Sequence, residues 1–81
     1  MNVRVQFYAQ LRDLAGASEL QVDLPDKATV SDLLAKIYEQ MPALRSRDRS
    51  ILIGAGVDFV DRNYKLSPGD EISIMPPVQG G

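Results

Sequence analysis

The chain has 81 residues, enough to close one hydrophobic core but not a second. Its apolar share of 44%, charged share of 25% and formal charge of -2 lie in the ordinary globular range, which excludes disorder, and no apolar run approaches the roughly 20 residues that cross a bilayer. Cysteine and histidine are both absent; this removes disulfides, thiolate nucleophiles, soft metal ligands and any side chain with an ordinary pKa near neutrality, so neither independent catalysis nor a metal site is expected.

Met1-Asn2-Val3-Arg4-Val5 enters directly into a strand pattern and lacks the basic-then-apolar design of an export signal, so a cytoplasmic location is expected. From Val3 to Tyr8 the residues alternate, with Val3, Val5 and Phe7 on one face and Arg4, Gln6 and Tyr8 on the other, as in a half-buried strand. Ala9 to Ala15 has helical composition and stops at Gly16, a residue suited to the left-handed conformation that closes a helix. Leu20, Val22 and Leu24 alternate again until Pro25-Asp26, predicting a second strand antiparallel to the first.

Thr29 is placed to cap the next helix, with Asp32 in its first turn at the positive end of the dipole. Val30, Leu33, Leu34, Ile37 and Met41 form one apolar stripe, and Pro42 ends the helix. Arg45, Arg47 and Arg49 alternate with other residues, Asp48 among them, and read as a solvated loop; nothing here resembles the continuous basic patch of a nucleic-acid binder. Ile51 to Ala55 reads as a third strand, and Gly54-Ala55-Gly56 as the turn into a short Phe59-Val60 strand. Ser67-Pro68-Gly69-Asp70 is a turn, and Glu71 to Met75 the last strand.

The order strand, strand, helix, strand, short strand, strand predicts an α+β fold of the β-grasp (ubiquitin-like) type: a mixed sheet of about five strands over one main helix. The domain is expected to span residues 1–75, followed by a flexible C-terminal tail, 76–81. The first and last strands should lie parallel and adjacent at the centre, where Val3, Val5, Phe7, Ile72 and Ile74 supply an apolar core face.

The tail is Pro76-Pro77-Val78-Gln79-Gly80-Gly81. Two closing glycines arise by chance in roughly one chain in 200. The prolines favour an extended conformation, with a reach of roughly 20 Å from the domain. Glycines without Cβ atoms suit passage through a narrow channel. A free carboxylate is a poor electrophile because its charge repels nucleophiles and oxide leaves badly. Adenylation by ATP would turn the Gly81 carboxylate into an acyl-phosphate anhydride, and attack by a sulfur donor would then produce a thiocarboxylate. Tyr8 and Met75 have solvent-face parity yet are apolar and lie at the strand ends nearest the tail; with Phe59 they make a candidate docking patch. Arg12 is a candidate for an acidic site on a partner. Asp58 and Asp61 are too few for a hard cation, which takes about six oxygen ligands, and Gly54-Ala55-Gly56 is followed by no helix that would make it a phosphate loop.

Phe7-Tyr8-Ala9-Gln10-Leu11-Arg12-Asp13-Leu14-Ala15-Gly16 and the run from Pro68 to Gly81, with Thr29-Val30 and Leu33 between them, resemble the small-subunit family of molybdopterin synthase over essentially the whole chain. One departure is Ala55-Gly56, where members usually carry Val-Asn. The resemblance implies a non-catalytic sulfur-donor subunit with no bound cofactor, loaded at Gly81 by a ubiquitin-activating-like adenylyltransferase that consumes ATP. It further implies that the thiocarboxylate enters the large synthase subunit and gives sulfur to a cyclic pyranopterin monophosphate, within a heterotetramer. Three alternatives stand beside it: a sulfur carrier for thiamine thiazole formation or tRNA thiolation, a ubiquitin-like protein modifier, and a plain β-grasp interaction domain. Neither nucleic acid nor membrane is an expected partner.

Overall fold

Alternation at the start of the chain produces β1 (Asn2–Phe7), with Val3, Val5 and Phe7 buried and Arg4 exposed on the opposite face. The structure, a computed structural model, describes residues 1–77. Helix α1 (Gln10–Ala15) follows, and Gly16 closes it at φ 74° by donating its N–H to the Arg12 carbonyl. Strand β2 (Glu19–Asp23) returns antiparallel to β1, with Val3 opposite Val22 and Val5 opposite Leu20.

Helix α2 (Val30–Gln40) begins at a reciprocal cap. The Asp32 N–H donates to the Thr29 hydroxyl oxygen at 3.3 Å, and the Thr29 N–H donates to the Asp32 carboxylate at 2.9 Å. Two further N–H groups of its first turn are satisfied by a distant segment: Val30 donates to the Tyr64 carbonyl and Ser31 to that of Arg62, both at 3.0 Å. These contacts tie the helix start to the strap before β5, because free N–H groups at a helix start need partners. Val30, Leu33, Leu34 and Ile37 are buried as the stripe predicts, and Met41 packs against the core as the residue closing the helix. Tyr38, one turn beyond Leu34 at the flank of that stripe, is buried too.

Beyond Pro42 the expected loop is a 3-10 segment, Pro42–Arg47, which buries Leu44. Proline at its start fixes φ and needs no N–H partner there, so the chain turns tightly and sets Leu44 inward. Arg45, Arg47 and Arg49 are exposed, as expected of a solvated run.

Strands β3 (Leu52–Ala55) and β4 (Asp58–Val60) form a hairpin. The turn falls on Gly56 and Val57, so of the expected turn residues Gly54-Ala55-Gly56 only Gly56 lies in it; Gly54 and Ala55 belong to β3, as the strand reading of Ile51 to Ala55 has them, opposite Phe59 and Asp58. Of the three, Gly56 takes the positive φ, 63°, that such a turn demands. The Ser67–Asp70 turn is closed by the Asp70 N–H on the Ser67 carbonyl at 3.0 Å, with Gly69 at φ 82°.

Strand β5 (Glu71–Met75) lies between β1, to which it is parallel, and β3, to which it is antiparallel. The strand order β2-β1-β5-β3-β4 is that of a β-grasp, with the first and last strands joined near the middle. One face of the sheet meets α2 through Val3, Val5, Phe7, Val22, Ile53, Ile72 and Ile74. Among the described residues, no element covers the opposite face.

Candidate functional site

Parity along five paired strands determines what the open face presents. One row runs across all five: Glu19 opposite Gln6, Gln6 opposite Ser73, Ser73 opposite Gly54, and Gly54 opposite Phe59. Toward β2 the face is polar, with the Arg4 guanidinium 3.7 Å from Glu19 and 3.6 Å from Glu71. Toward β4 it gathers aromatic and aliphatic side chains. There Tyr8, Gly54, Gly56, Val57, Phe59 and Met75, with the polar Asp58 and Ser73 among them, line a shallow depression of about 180 Å³. The structure thus brings together Tyr8, Phe59 and Met75, which are distant in sequence. Phe59 is 70% exposed and Tyr8 40%, whereas Met75 is half-buried. Phe59 also walls a second depression, of about 400 Å³, along the β3–β4 hairpin.

Gly54 keeps the floor of the smaller depression low. A Cβ there would stand 3.3 Å from the Met75 methyl, so the thioether lies where an alanine would press on it. The Tyr8 hydroxyl donates to the Gln6 amide oxygen at 2.8 Å, and its backbone N–H donates to the Ile74 carbonyl at 3.1 Å, so the residue is held beside β5. Val57, fully exposed at the hairpin tip, is a lining residue that sequence reasoning missed. The available signal is an apolar residue directly after Gly56, between two strand patterns. Arg12 is exposed on α1 and does not line the depression.

Met75 ends β5 and the chain continues through half-buried Pro76 and Pro77. Val78, Gln79, Gly80 and Gly81 lie outside the described residues. Among the described residues, no helix is long and apolar enough to cross a membrane.

A second polar constellation joins α2, the 3-10 segment and the strap. The Tyr38 hydroxyl donates to the Asp48 carboxylate at 2.5 Å and the Arg62 guanidinium donates to the same oxygen at 2.7 Å; Arg62 also donates to the Asp48 backbone carbonyl. The hydrogen bond from Tyr38, then that from Arg62, holds the Asp48 carboxyl below the ordinary carboxylate range. Burial, reinforced by Asp48, pushes the Tyr38 phenol far above its usual value. The Arg45 guanidinium lies 5.4 Å from the centre of the Tyr38 ring.

Residues 5–81 match the sequence profile of the ThiS family. The molybdopterin synthase sulfur carrier subunit of Chlamydomonas reinhardtii is 36% identical over 83 aligned positions, covering 100% of both chains. Among solved structures, SAMP1 from Haloferax volcanii has a TM-score of 0.90 at 29% identity, with 100% of each chain covered. A chain from the protein-protein complex of subunits 1 and 2 of molybdopterin-converting factor, from Helicobacter pylori 26695, has a TM-score of 0.73 at 26% identity, again covering 100% of each.

Proposed function

The chain belongs to the ThiS family, and from that premise we propose that it is the sulfur-carrier subunit of a molybdopterin synthase. The observation that carries this reading is likeness along the full length to a sulfur carrier subunit of that enzyme.

The chemistry is that of the C-terminal carboxyl. The Gly81 carboxylate attacks the α-phosphorus of ATP on a ubiquitin-activating-like adenylyltransferase, and pyrophosphate leaves. The outer sulfur of a donor persulfide attacks the acyl adenylate and AMP leaves; a second donor thiol then attacks the inner sulfur of the resulting acyl disulfide, releasing the Gly81 thiocarboxylate and leaving a disulfide on the relay. The large synthase subunit then takes up the tail, residues 76–81; the thiocarboxylate sulfur attacks a carbon of a cyclic pyranopterin monophosphate, and water cleaves the resulting acyl–sulfur bond, leaving sulfur on the pterin and regenerating the Gly81 carboxylate. A dithiolene holds two sulfurs, so two loaded chains serve each product, in keeping with a heterotetramer. The chain supplies no catalytic side chain and binds no cofactor; ATP is consumed by the activating partner, in the cytoplasm.

The folded body delivers the terminus. Strand β5 is clamped on both sides by β1 and β3, so the position from which Pro76 departs is set by the centre of the sheet. The end of the open face toward β4, with Tyr8, Phe59 and Met75, is the docking surface for the large subunit, and Arg12 meets an acidic group beside it. Apolar side chains at the middle of an interface carry most of its free energy, whereas the polar rim contributes little.

Coexpression with the activating enzyme and its sulfur donor should yield an intact mass in which one oxygen is replaced by sulfur, and deletion of Gly80 and Gly81 should abolish both loading and synthase activity. Full activity of the deletion variant would remove every tail-based mechanism. A second reading, covalent modification of lysines through Gly81, draws on the likeness to SAMP1, a small archaeal modifier protein. It requires a ladder of conjugates in cell extract, which the carrier reading does not.

A further inference from the structure

Asp48 stands among Arg45, Arg47 and Arg49 in sequence and would serve as their counter-charge in a freely solvated loop. The fold engages it elsewhere and leaves only a longer-range attraction to Arg45. Its carboxylate accepts from Tyr38 and is paired with Arg62, a cation from outside the run. Among the described residues, Arg12, Arg45, Arg47 and Arg49 form no salt bridge, and all four are exposed. Arg45 rests near the ring of Tyr38, an arrangement that orders a guanidinium without neutralising it.

These arginines belong to the end of the domain from which the tail departs. Leu52, first in β3, pairs with Met75, last in β5, so the chain enters β3 where Pro76 leaves β5, and Arg49 lies just before that entry. Helix α1, which carries Arg12 and begins directly after Tyr8, packs against the 3-10 segment that carries Arg45 and Arg47. Asp13, Asp61 and, in the last turn of α2, Glu39 also belong to this end, and the Asp61 carboxylate accepts from the Asn63 N–H. Outside the Asp48–Arg62 pair, four guanidiniums thus face three carboxylates beside the tail exit of a chain of net charge -2.

We infer that Arg45, Arg47 and Arg49, with Arg12, dock on an acidic protein surface that flanks the entrance receiving the tail. The inference rests on the carrier reading above and adds to it the charge of the partner's entrance. Complementary charge acts chiefly on the rate of encounter, by a factor of roughly 10 to 1,000, and orients the pair before short-range contacts form. Arginine suits this role because its planar fork takes a carboxylate at two points. A nucleic acid also offers anionic oxygens, but the overall negative charge of the chain and the few cations at this corner disfavour a long polyanion.

The test is stopped-flow association of the labelled full-length chain with the large synthase subunit and with the adenylyltransferase, at low and at physiological ionic strength. Wild-type association should slow as salt rises. The Arg45→Glu, Arg47→Glu, Arg49→Glu triple variant should associate roughly tenfold more slowly at low salt, with a flattened or inverted salt dependence and a nearly unchanged dissociation rate. The Arg47→Glu, Arg49→Glu double variant keeps the Arg45–Tyr38 contact and should fall between the two; circular dichroism checks that both variants fold. Equal rates and salt slopes in wild type and variants would overturn the inference and leave the carrier reading standing. A folded wild type that associates with neither partner would overturn both. Loss of transfer-RNA binding in the triple variant, with protein association unchanged, would assign the corner to RNA and overturn the inference as well.

Discussion

Replacing Ala9 by glycine is predicted to stabilise the protein. Ala9 has φ 53° and ψ -135°, and with the Leu11 N–H donating to the Tyr8 carbonyl at 3.1 Å it occupies the first central position of a turn that glycine usually fills. An L-residue held in such a region costs about 1–3 kcal/mol. Glycine relieves that strain but loses more chain freedom on folding, which costs about 0.5–1 kcal/mol. Ala9 is exposed, so removing its methyl group sacrifices no burial. The balance favours the variant by about 1 kcal/mol, which for a domain of this size raises the thermal midpoint by about 4–8 °C. Differential scanning calorimetry measures the midpoint, and urea unfolding with an unchanged slope verifies that the native state is the one affected. A midpoint below that of wild type would refute the reasoning, since it would mean that the backbone at Ala9 is not strained.

Two further substitutions separate stability from docking. Asp48 has a depressed folded-state pKa, so the unfolded chain binds more protons: its contribution is complete above the unfolded value of about 3.9 and is lost as pH falls through the folded value. Asp48→Asn should therefore be less stable than wild type at pH 7, by no more than about 1 kcal/mol because the carboxylate is 39% exposed, and the gap should close as the solution is acidified below about pH 4; urea midpoints that stay separated by the same amount in acid would contradict this. Phe59→Ser, at a ring 70% exposed, should alter stability by less than about 0.5 kcal/mol yet weaken affinity for the large subunit roughly tenfold, and calorimetric titration giving the wild-type affinity would exclude the ring from the interface.

Much of the fold was legible because it depends on local chemistry. The alternation of Val3, Val5 and Phe7 identified β1 and its core face, Thr29 and Asp32 marked the start of α2, and Gly16 marked the end of α1. Hairpin β3–β4 was legible as a pair but not in its register. Three small residues in a row each tolerate a turn, and the hydrogen bonding of Gly54 and Ala55 to β5 shifted it to Gly56. The burial of Tyr38 was hidden because its polar tip depends on Asp48 and Arg62, which reach it from other parts of the chain. Nor does composition reveal positive φ at Ala9, since alanine ordinarily favours helix there.

Residue order alone determined the family resemblance and the β-grasp plan, because periodicity, caps and turn residues act over a few positions. Folding alone settled which side chains share a surface. Tyr8, Gly54, Phe59 and Met75 meet because a parallel β1–β5 pair and an antiparallel β3 set a common register. Asp48 forms its salt bridge with Arg62 rather than with its adjacent arginines because the strap before β5 brings Arg62 to it. Such meetings depend on crossings between remote segments, where burial and pairing over the whole chain outweigh the preference of any single residue.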